Sequence, residues 1–417
     1  MRVFLQTFGC RANHYDSETA RAMIERAGHA IVGDAADADV AVFNSCAVTA
    51  EAEADLRRAV RRAARAQPEL RSVIMGCATG FASPRGDDKL RTLPNVTTLI
   101  AGADMGQLAA ALELSSTAAV ARAAAQTTVR ALLRVQDGCD EHCTFCATTL
   151  ARGANRSRSA DAIVAEALTL ADHHEEIVIT GIHIGSYGAD VGSSLGELLG
   201  RLVAEVPRVR FRLSSVEATE LDDRLLALLV GDANRVAPHL HAPLQSGSDA
   251  VLKRMGRHWY TAERYARVIE QLAARRSVLG VGADIIVGFP GESEEDHIRT
   301  VTLVQRLPFT YLHIFPFSLR PGTAAERLAA PVPSQIVTER ARELRQLAAA
   351  KAAAYRTSRI GGWADVIVVR GPSDHHEREG ITEDYLTVLP EPSSIPRGAR
   401  FSARLGAAGD RLSAVAP

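Results

Sequence analysis

The chain has 417 residues, enough for two or three domains, and its 47% hydrophobic and 23% charged content is that of an ordinary globular protein. No run of about 18 uncharged apolar residues occurs, and the N-terminus lacks the apolar core of a secretory leader, so we expect a cytoplasmic protein without a membrane span. Because the net charge is −1, any nucleic-acid contact must come from local basic patches and not from the overall charge.

The N-terminal part alternates between strand-like and helical patterns. The predicted strands lie at 3–8, 39–46, 71–77 and 96–102, and the predicted helices at 15–27, 49–66 and 105–114. This alternation predicts a small parallel α/β sheet. Residues 115–128 are small and aperiodic, which indicates a linker, with an alanine-rich helix as the alternative.

A second α/β series follows. Its strands are predicted at 131–135, 176–180, 208–215, 239–245, 280–289 and 310–317, separated by helices at 161–174, 195–205, 221–231, 261–275 and 293–306. These are too few strand–helix units for a closed eight-unit barrel, so we expect an open, partial (β/α) barrel.

The C-terminal part has a different texture. A helix rich in arginine and alanine is predicted at 334–359, and the later segments WADVIVVR, ITEDYLTVL and RGARFSARL are typical of short strands in a small β-barrel. The predicted fold class is therefore α/β, with a parallel α/β sheet domain at 1–118, a partial barrel at 125–355 and a β-barrel module at 360–417.

Three of the six cysteines form a compact group directly after the strand predicted at 131–135. Cys139, Cys143 and Cys146 make the spacing C-x-x-x-C-x-x-C, which lets one loop carry three thiolates to a single site. A cubane [4Fe–4S] cluster normally takes four cysteines, so three would leave one iron open to a reactant. The alternative is a zinc site, with His142 as a cramped fourth ligand.

The other three cysteines are scattered, but each follows a predicted strand at its carboxyl end. They are Cys10, Cys46 and Cys77. In a parallel sheet those ends share one edge, where open α/β sheets place their sites, so the three thiols are expected to meet there and hold a second cluster. The alternative is that each cysteine is a small buried hydrophobic residue.

The sequence resembles a known family at these positions. GCDEHCTFC (138–146) is similar to the signature loop of the radical S-adenosylmethionine (SAM) enzymes, and TFGCRANHYDSE, NSCAVT and MGCATG are similar to the N-terminal cysteine segments of the methylthiotransferases. The resemblance implies that the open iron at Cys139, Cys143 and Cys146 binds SAM and cleaves it to a 5′-deoxyadenosyl radical. It also implies that an auxiliary [4Fe–4S] cluster at the other three cysteines handles the transferred sulfur.

Further segments of the chain extend this resemblance to residues that contact SAM. The family's aromatic residue near the adenine corresponds to Phe145, and an ordinary loop-packing role is the alternative. The other candidates lie at strand ends, where tight turns and helix caps are the alternatives: Thr180, Gly181, Ser215, Glu217, Gln245 and Ser246.

The resemblance also implies a substrate branch. NSCAVT and the Ala-Arg-Gly run at 151–153 resemble the branch that modifies N6-threonylcarbamoyladenosine at tRNA position 37 on carbon 2. The isopentenyladenosine branch is the runner-up, and a non-catalytic iron–sulfur or zinc RNA-binding protein is an alternative of another class. The sequence departs from the family at 147–150, where Ala-Thr-Thr-Leu replaces bulkier residues and a proline.

The implied partners are tRNA and a reducing electron donor such as flavodoxin or ferredoxin, and the C-terminal module resembles the family's RNA-binding TRAM barrel. Basic residues of the helix predicted at 334–359 are candidates for contact with the RNA backbone, although a solvated helix face is the alternative. They are Arg340, Arg345, Lys351 and Arg356.

Overall fold

The computed structural model describes residues 1–46, 50–81, 89–114, 125–371 and 377–417. The chain forms two compact units. The first contains residues 1–127, 136–156 and 318–326, and the second contains 128–135, 157–317 and 327–417. The predicted domain boundary at 118 and most of the predicted linker lie outside the described residues.

A five-stranded parallel sheet forms the body of the first unit. Its strand order is β2-β1-β3-β4-β5. The strands are β1 (Arg2–Thr7), β2 (Ala30–Val32), β3 (Val40–Ser45), β4 (Arg71–Gly76) and β5 (Val96–Ala101), and the helices are α1 (Arg11–Arg26), α2 (Ala50–Ala66) and α3 (Met105–Ala111). The predicted parallel α/β sheet is thereby confirmed. Strand β2 is absent from the sequence prediction because three partly exposed residues give no detectable alternation.

The central strand β3 is buried on both faces, as expected for a parallel sheet between helices. Val40 and Val42 pack with residues of α1 and α3 on one face, whereas Ala41 and Phe43 pack with residues of α2 on the other. This packing fixes the sheet between its helices. The loops at the carboxyl ends of the strands lie outside this core and can carry the residues of a site.

The segment 136–156 also belongs to the first unit. It contains the short strand β7 (Gln136–Asp137), the central cysteine loop and the helix α4 (Thr148–Arg152), and a two-residue strand, β8 (Arg156–Ser157), follows.

Six parallel strands form the body of the second unit. They are β6 (Ala131–Arg134), β9 (Glu176–Thr180), β10 (Arg210–Leu213), β11 (His239–His241), β12 (Gly280–Val287) and β13 (Tyr311–Pro316). They form two three-stranded sheets, joined by parallel bridges from Phe211 to Val236 and from Ser215 to His241. The predicted partial barrel is confirmed, and its strand order follows the sequence.

Helices cover the outer face of this partial barrel. They are α5 (Ala160–Ala171), α6 (Leu195–Glu205), α7 (Asp223–Val230), α8 (Asp249–Arg254), α9 (Ala262–Ala274) and α10 (Glu294–Arg306). Alternate strand residues such as Ile177, Phe211 and Ile285 belong to the core of this unit. The residues between them point to the opposite side, which we call the inner face, because side chains alternate along a strand.

The C-terminal part consists of the long helix α11 (Ser334–Arg359) and a closed five-stranded barrel of order β14-β15-β16-β18-β17. Its strands are β14 (Trp363–Arg370), β15 (Glu379–Thr382), β16 (Thr387–Glu391), β17 (Arg400–Ala408) and β18 (Arg411–Val415). The segment ITEDYLTVL, predicted as one strand, contains parts of two, because a tight turn with Tyr385 at φ 72° separates them. Strand β18 is absent from the sequence prediction.

Buried ion pairs tie the C-terminal barrel to the rest of the second unit. Arg212 donates to the backbone oxygens of Thr382 and Glu383, both at 3.0 Å, and the side chains of Arg210 and Asp365 lie 3.0 Å apart. Both arginines also bind Glu176, which has no exposed surface. The β15–β16 turn is therefore held by charge as well as by packing.

None of the described helices combines the length and apolarity required to cross a membrane.

Candidate metal centres

The three N-terminal cysteines lie at one edge of the first unit's sheet. Cys10, Cys46 and Cys77 follow the carboxyl ends of β1, β3 and β4, which are neighbours in the sheet. The Sγ atoms of Cys10 and Cys77 lie 3.9 and 3.8 Å from the same atom, Asn13 Oδ1. The predicted convergence of these segments therefore occurs.

Gly9 shows how closely the Cys10 and Cys46 loops approach each other. Its φ is 96°, in the region that favours glycine, and a Cβ atom placed on it would lie 2.4 Å from the Cβ of Cys46. Any larger residue would push the two loops apart, so the glycine before Cys10 is a requirement of the site.

Asn13 holds the Cys10 and Cys46 segments together by hydrogen bonds to both. Its Nδ2 donates to the backbone oxygens of Phe8 (2.9 Å) and Ser45 (2.7 Å), and its own backbone oxygen accepts from Asn44 Nδ2 at 2.7 Å. These bonds fix the amide so that Oδ1 points at the thiols. Sequence reasoning missed Asn13, although its place in the first turn after Cys10 marks it as a neighbour of that ligand.

A buried arginine completes this centre. Arg152, at the end of α4, places Nε 3.3 Å from Cys77 Sγ and directs Nη2 to Asn13 Oδ1 (2.7 Å) and to Asp16 Oδ2 (2.8 Å). Its side chain is 1% exposed and that of Asp16 is fully buried. The sequence identifies Arg152 only as part of the Ala-Arg-Gly run that indicates the substrate branch, whereas the structure shows its contact with Cys77.

The charges of Cys77 and Arg152 influence each other's pKa. Burial raises the pKa of the Cys77 thiol to about 11, and the nearby Arg152 guanidinium acts in the opposite direction. Burial also opposes the charge of Arg152, but Asp16, Cys77 and Asp137 together hold its pKa above the ordinary value. The arginine is therefore a permanent cation beside a site that, with metal bound, would carry thiolates.

The central cysteine loop is shaped by a second set of hydrogen bonds. Gln136 Nε2 donates to the Gly138 oxygen and to Asn155 Oδ1, both at 2.6 Å, and the Cys139 N–H donates to the Gly153 oxygen at 3.0 Å. Gly138 has a φ of 74°, and a Cβ there would lie 1.9 Å from the Ala154 oxygen. The first residues of the loop are thus held against residues 153–155, which follow the loop.

Hydrogen bonds within the loop reach the thiols of Cys139 and Cys146. Cys139 Sγ accepts from the Glu141 N–H at 3.4 Å. Cys146 Sγ lies 3.4 Å from the backbone nitrogen of Thr148 and 3.0 Å from its Oγ1. Thr148 belongs to the segment 147–150 that departs from the family sequence, and it brings a hydroxyl to a ligand sulfur.

The described thiols are not grouped as closely as the ligands of one zinc ion. Within the described parts of the chain, which include all six cysteines and His142, no three of these residues bring their ligand atoms within 4.8 Å of one another. One tetrahedral zinc ion with bonds of about 2.3 Å requires closer thiolates. A cubane cluster binds each thiolate at a different iron and so accepts wider spacing.

Comparison with known proteins agrees with this donor set. A model described as "Uncharacterized protein family UPF0004" matches residues 2–102, and the Radical SAM superfamily model matches residues 133–304. The threonylcarbamoyladenosine tRNA methylthiotransferase MtaB of Thermotoga maritima is 35% identical over 86% of this chain and 84% of its own length. The Aquifex aeolicus protein of the same description is 33% identical over 94% and 97%. The chain belongs to the radical SAM methylthiotransferases.

A solved structure shares the fold of this methylthiotransferase. The radical SAM methyltransferase TsrM from Kitasatospora setae aligns with a TM-score of 0.57 and 14% identity, covering 78% of this chain and 74% of that chain. At this identity the likeness concerns the fold alone.

The SAM-binding residues predicted for this methylthiotransferase are differently placed. Phe145 and Gly181 are partly exposed, Thr180 is buried at the end of β9, and Ser215 is exposed. Glu217 is buried, and its carboxylate accepts from Arg257 and from Trp259 Nε1 at 2.8 Å. Their contacts with SAM stay predictions.

The PLQSGS segment has a constrained backbone. Gln245 has a φ of 63°, uncommon for a residue other than glycine and frequent at functional sites. The buried Ser246 Oγ accepts from the Ser248 N–H at 3.2 Å. Ser248 precedes α8, but its hydroxyl donates to Asp296 Oδ1 at 2.5 Å and does not cap that helix.

The candidate RNA-binding residues of α11 differ in exposure. Arg340 is buried and its guanidinium lies 3.1 Å from Glu292 and 2.9 Å from Glu294, so it does not fit the predicted RNA contact. Arg345 is exposed, and Lys351 and Arg356 are partly exposed. RNA contact by these three residues stays a prediction.

Proposed function

We propose that this chain methylthiolates carbon 2 of N6-threonylcarbamoyladenosine at position 37 of tRNA. The observation that carries the proposal is the match to relatives of that activity over nearly their whole length. The Bacillus subtilis protein, for example, is 32% identical over 93% of this chain and 90% of its own. The complete set of six cysteines in the first unit supports the same assignment.

The proposal includes two [4Fe–4S] clusters with three cysteine ligands each. Cys139, Cys143 and Cys146 would hold the cluster that binds SAM, and Cys10, Cys46 and Cys77 would hold the auxiliary cluster. The convergence of Cys10 and Cys77 on Asn13 and the position of the other three cysteines in one loop support this division. When bound, the first cluster supplies the electron that cleaves SAM, and the auxiliary cluster supplies a binding place for the sulfur.

The protein's own residues prepare these two sites. Asn13 and Arg152 orient the Cys10 and Cys77 loops and bring a positive charge to them, while Thr148 hydrogen-bonds the Cys146 sulfur. Adenine carbon 2 carries an inert aromatic C–H bond, which explains the need for a radical. An adenine beside the anticodon is in a single-stranded loop, where a protein can reach the base.

The proposed partners follow from the same reaction. The substrate is tRNA, and a low-potential donor such as flavodoxin or ferredoxin would reduce the cluster. The closed C-terminal barrel would contribute to RNA binding, as the family resemblance implies. Because tRNA modification takes place where tRNA is used, we place the protein in the cytoplasm.

The experiment that tests the substrate is nucleoside mass spectrometry of tRNA from a strain that lacks the gene. We expect 2-methylthio-N6-threonylcarbamoyladenosine to disappear, its unmethylthiolated precursor to accumulate, and the wild-type gene to restore the product. Loss of 2-methylthio-isopentenyladenosine in its place would assign the chain to the other tRNA branch. No change in any methylthio nucleoside, together with no 5′-deoxyadenosine from the reduced protein and SAM, would favour a binding protein.

A further inference from the structure

A cluster of polar side chains lies on the inner face of the second unit. His241 Nε2 and His313 Nδ1 each lie 3.1 Å from the same atom, Asp284 Oδ1. The three residues come from the adjacent strands β11, β12 and β13. We call them the His–Asp–His group. Among the described residues they are the set of three metal-binding side chains whose ligand atoms lie closest together.

A partly buried tyrosine holds this group in place. Tyr311 Oη lies 3.0 Å from His241 Nδ1 and 2.8 Å from His239 Nε2, so the phenol fixes the orientation of the His241 ring. The two imidazoles hold the pKa of Asp284 below its ordinary value even though burial acts in the opposite direction. Asp284 is therefore a carboxylate at neutral pH and accepts hydrogen bonds.

The group opens to solvent through a ladder of rings on β13. Tyr311, His313 and Phe315 share one face of the strand, with ring centroids 5.5 and 6.2 Å apart in succession. The His313 side chain is 54% exposed, and Phe315 is 41% exposed. Exposed rings beside hydrogen-bonding groups form a platform on which a nucleobase can stack. A metal site does not require such a platform.

The group is adjacent to the constrained PLQSGS segment. The backbone oxygen of Asp284 accepts from the Gln245 N–H at 2.8 Å, and the Gln245 oxygen accepts from the Ile286 N–H at 2.9 Å. Asp284 and Gln245 are thus parts of one backbone network within the second unit. A ligand at the His–Asp–His group would lie beside a segment that the sequence analysis predicts to bind SAM.

We propose that the His–Asp–His group and the β13 rings recognise the threonylcarbamoyl group of the target nucleoside. The inference rests on the proposed function and names its specificity-determining residues. The threonylcarbamoyl group carries urea N–H donors, a hydroxyl and a carboxylate. Asp284 accepts from the N–H donors, the exposed His313 donates to the carboxylate, and His241 holds Asp284 in position.

The same chemistry excludes the competing nucleoside. An isopentenyl group is a hydrocarbon without hydrogen-bonding atoms, so it would displace water from Asp284 and His313 and leave them only the bonds that they already make within the group. Removing water from polar groups without offering them a new partner disfavours such a ligand. The group therefore explains how the second unit selects between substrates that differ only at N6.

The test measures binding of synthetic anticodon stem-loops to the cluster-loaded protein in the absence of SAM. The loops carry adenosine, N6-threonylcarbamoyladenosine or isopentenyladenosine at the target position. We expect Asp284→Asn and His313→Ala each to weaken binding of the threonylcarbamoyl loop by about 10- to 100-fold, with little effect on the unmodified loop. Asp161→Asn is the matched control, because it makes the same change at an exposed carboxylate, which pairs with Arg201 at 2.7 Å on the outer helices α5 and α6.

Three outcomes would overturn the inference. One is wild-type preference for the threonylcarbamoyl loop in both variants. Another is that the wild-type protein binds a transition metal tightly, in addition to the iron of the clusters, and that Asp284→Asn loses this metal. The His–Asp–His group would then be a metal site. If the wild-type protein itself prefers the isopentenyl loop, the proposed function fails and the inference fails with it. Circular dichroism and 5′-deoxyadenosine formation without RNA verify that each variant is folded and loaded.

Discussion

The residues around the thiols in the first unit also bring charge and hydrogen bonds to the sulfur atoms. Arg152 and Asp16 form a buried ion pair that also contacts Cys77 through the guanidinium. Buried pairs of this kind contribute little when compared with an apolar replacement, but breaking one leaves an uncompensated charge. The pair therefore has consequences for stability and for the electrostatics of the proposed auxiliary cluster.

Replacing Arg152 by Gln should remove this charge and leave Asp16 buried without a cation. We expect the metal-free protein to lose about 3–5 kcal/mol of unfolding free energy and the auxiliary cluster to become harder to reduce, because a nearby positive charge stabilises the extra electron. Urea denaturation and potentiometry followed by electron paramagnetic resonance measure the two effects. Arg152→Lys keeps the charge and should retain most of the potential. Equal potentials in Arg152→Gln and wild type would refute the electrostatic role.

Replacing Thr148 by Val should change the other cluster. The substitution keeps the shape and the backbone N–H but removes the hydroxyl 3.0 Å from Cys146 Sγ. Since hydrogen bonds to ligand sulfurs tune cluster potentials, we expect a lower reduction potential for the cluster that binds SAM. Thr149→Val, the same change one position later, is the control. A shift of the same size in both variants would argue against a specific bond to Cys146.

The cysteine ligands could be predicted from the sequence, but the residues that contact them could not. Cysteines at strand ends could be predicted, because residue type and position in a periodic pattern are both local properties. The contact of Arg152 with Asn13 could not, since 139 positions separate the two residues and only folding brings them together.

Strand β10 shows how an element with two arginines can still be a buried strand. Phe211 and Leu213 face the core, and the alternate Arg210 and Arg212 pair with Glu176 of β9, while Arg210 also pairs with Asp365. The alternation was sufficient to predict the strand. Its partner could not be predicted, because Glu176 acquires its role only through the parallel register that places it opposite Arg210.

Replacing Glu176 by Gln should therefore destabilise the partial barrel. At neutral pH we expect a loss of about 3–5 kcal/mol, because the buried Arg212 loses the carboxylate with which it pairs and Arg210 keeps only Asp365. The arginines hold the pKa of Glu176 well below its ordinary value although burial opposes this. Its stabilisation is thus complete above the unfolded-state pKa of about 4.3 and declines as pH falls towards the folded-state pKa.

Urea denaturation at pH 7 and at pH 3.5 would measure this dependence. The difference between wild type and Glu176→Gln should be smaller at the lower pH, where protonation of the wild-type glutamate in the unfolded state offsets part of its advantage. An equal difference at both values would mean that Glu176 acts through packing and not through charge. Glu205→Gln, at an exposed ion pair with Arg201 on the outer helix α6, serves as the control.

For the whole molecule, the order of elements along the chain allowed the three kinds of architecture to be predicted. Alternating strands and helices gave the parallel sheet and the partial barrel, and short strands with turns gave the C-terminal barrel. The same order could not reveal that 136–156 and 318–326 belong to the first unit, because they are flanked in sequence by residues of the second. Both cysteine sets consequently lie in one compact unit.

The central claim is that the six thiols form two separate three-ligand sites with different roles. Iron analysis of anaerobically reconstituted Cys10→Ala/Cys46→Ala/Cys77→Ala protein, combined with assays for 5′-deoxyadenosine and methylthio nucleoside, tests it directly. We predict about four irons per chain in place of about eight, continued cleavage of SAM, and no methylthio product. Retention of about eight irons, stoichiometric zinc in the wild type, or loss of SAM cleavage in a folded variant that keeps its remaining cluster would contradict the account.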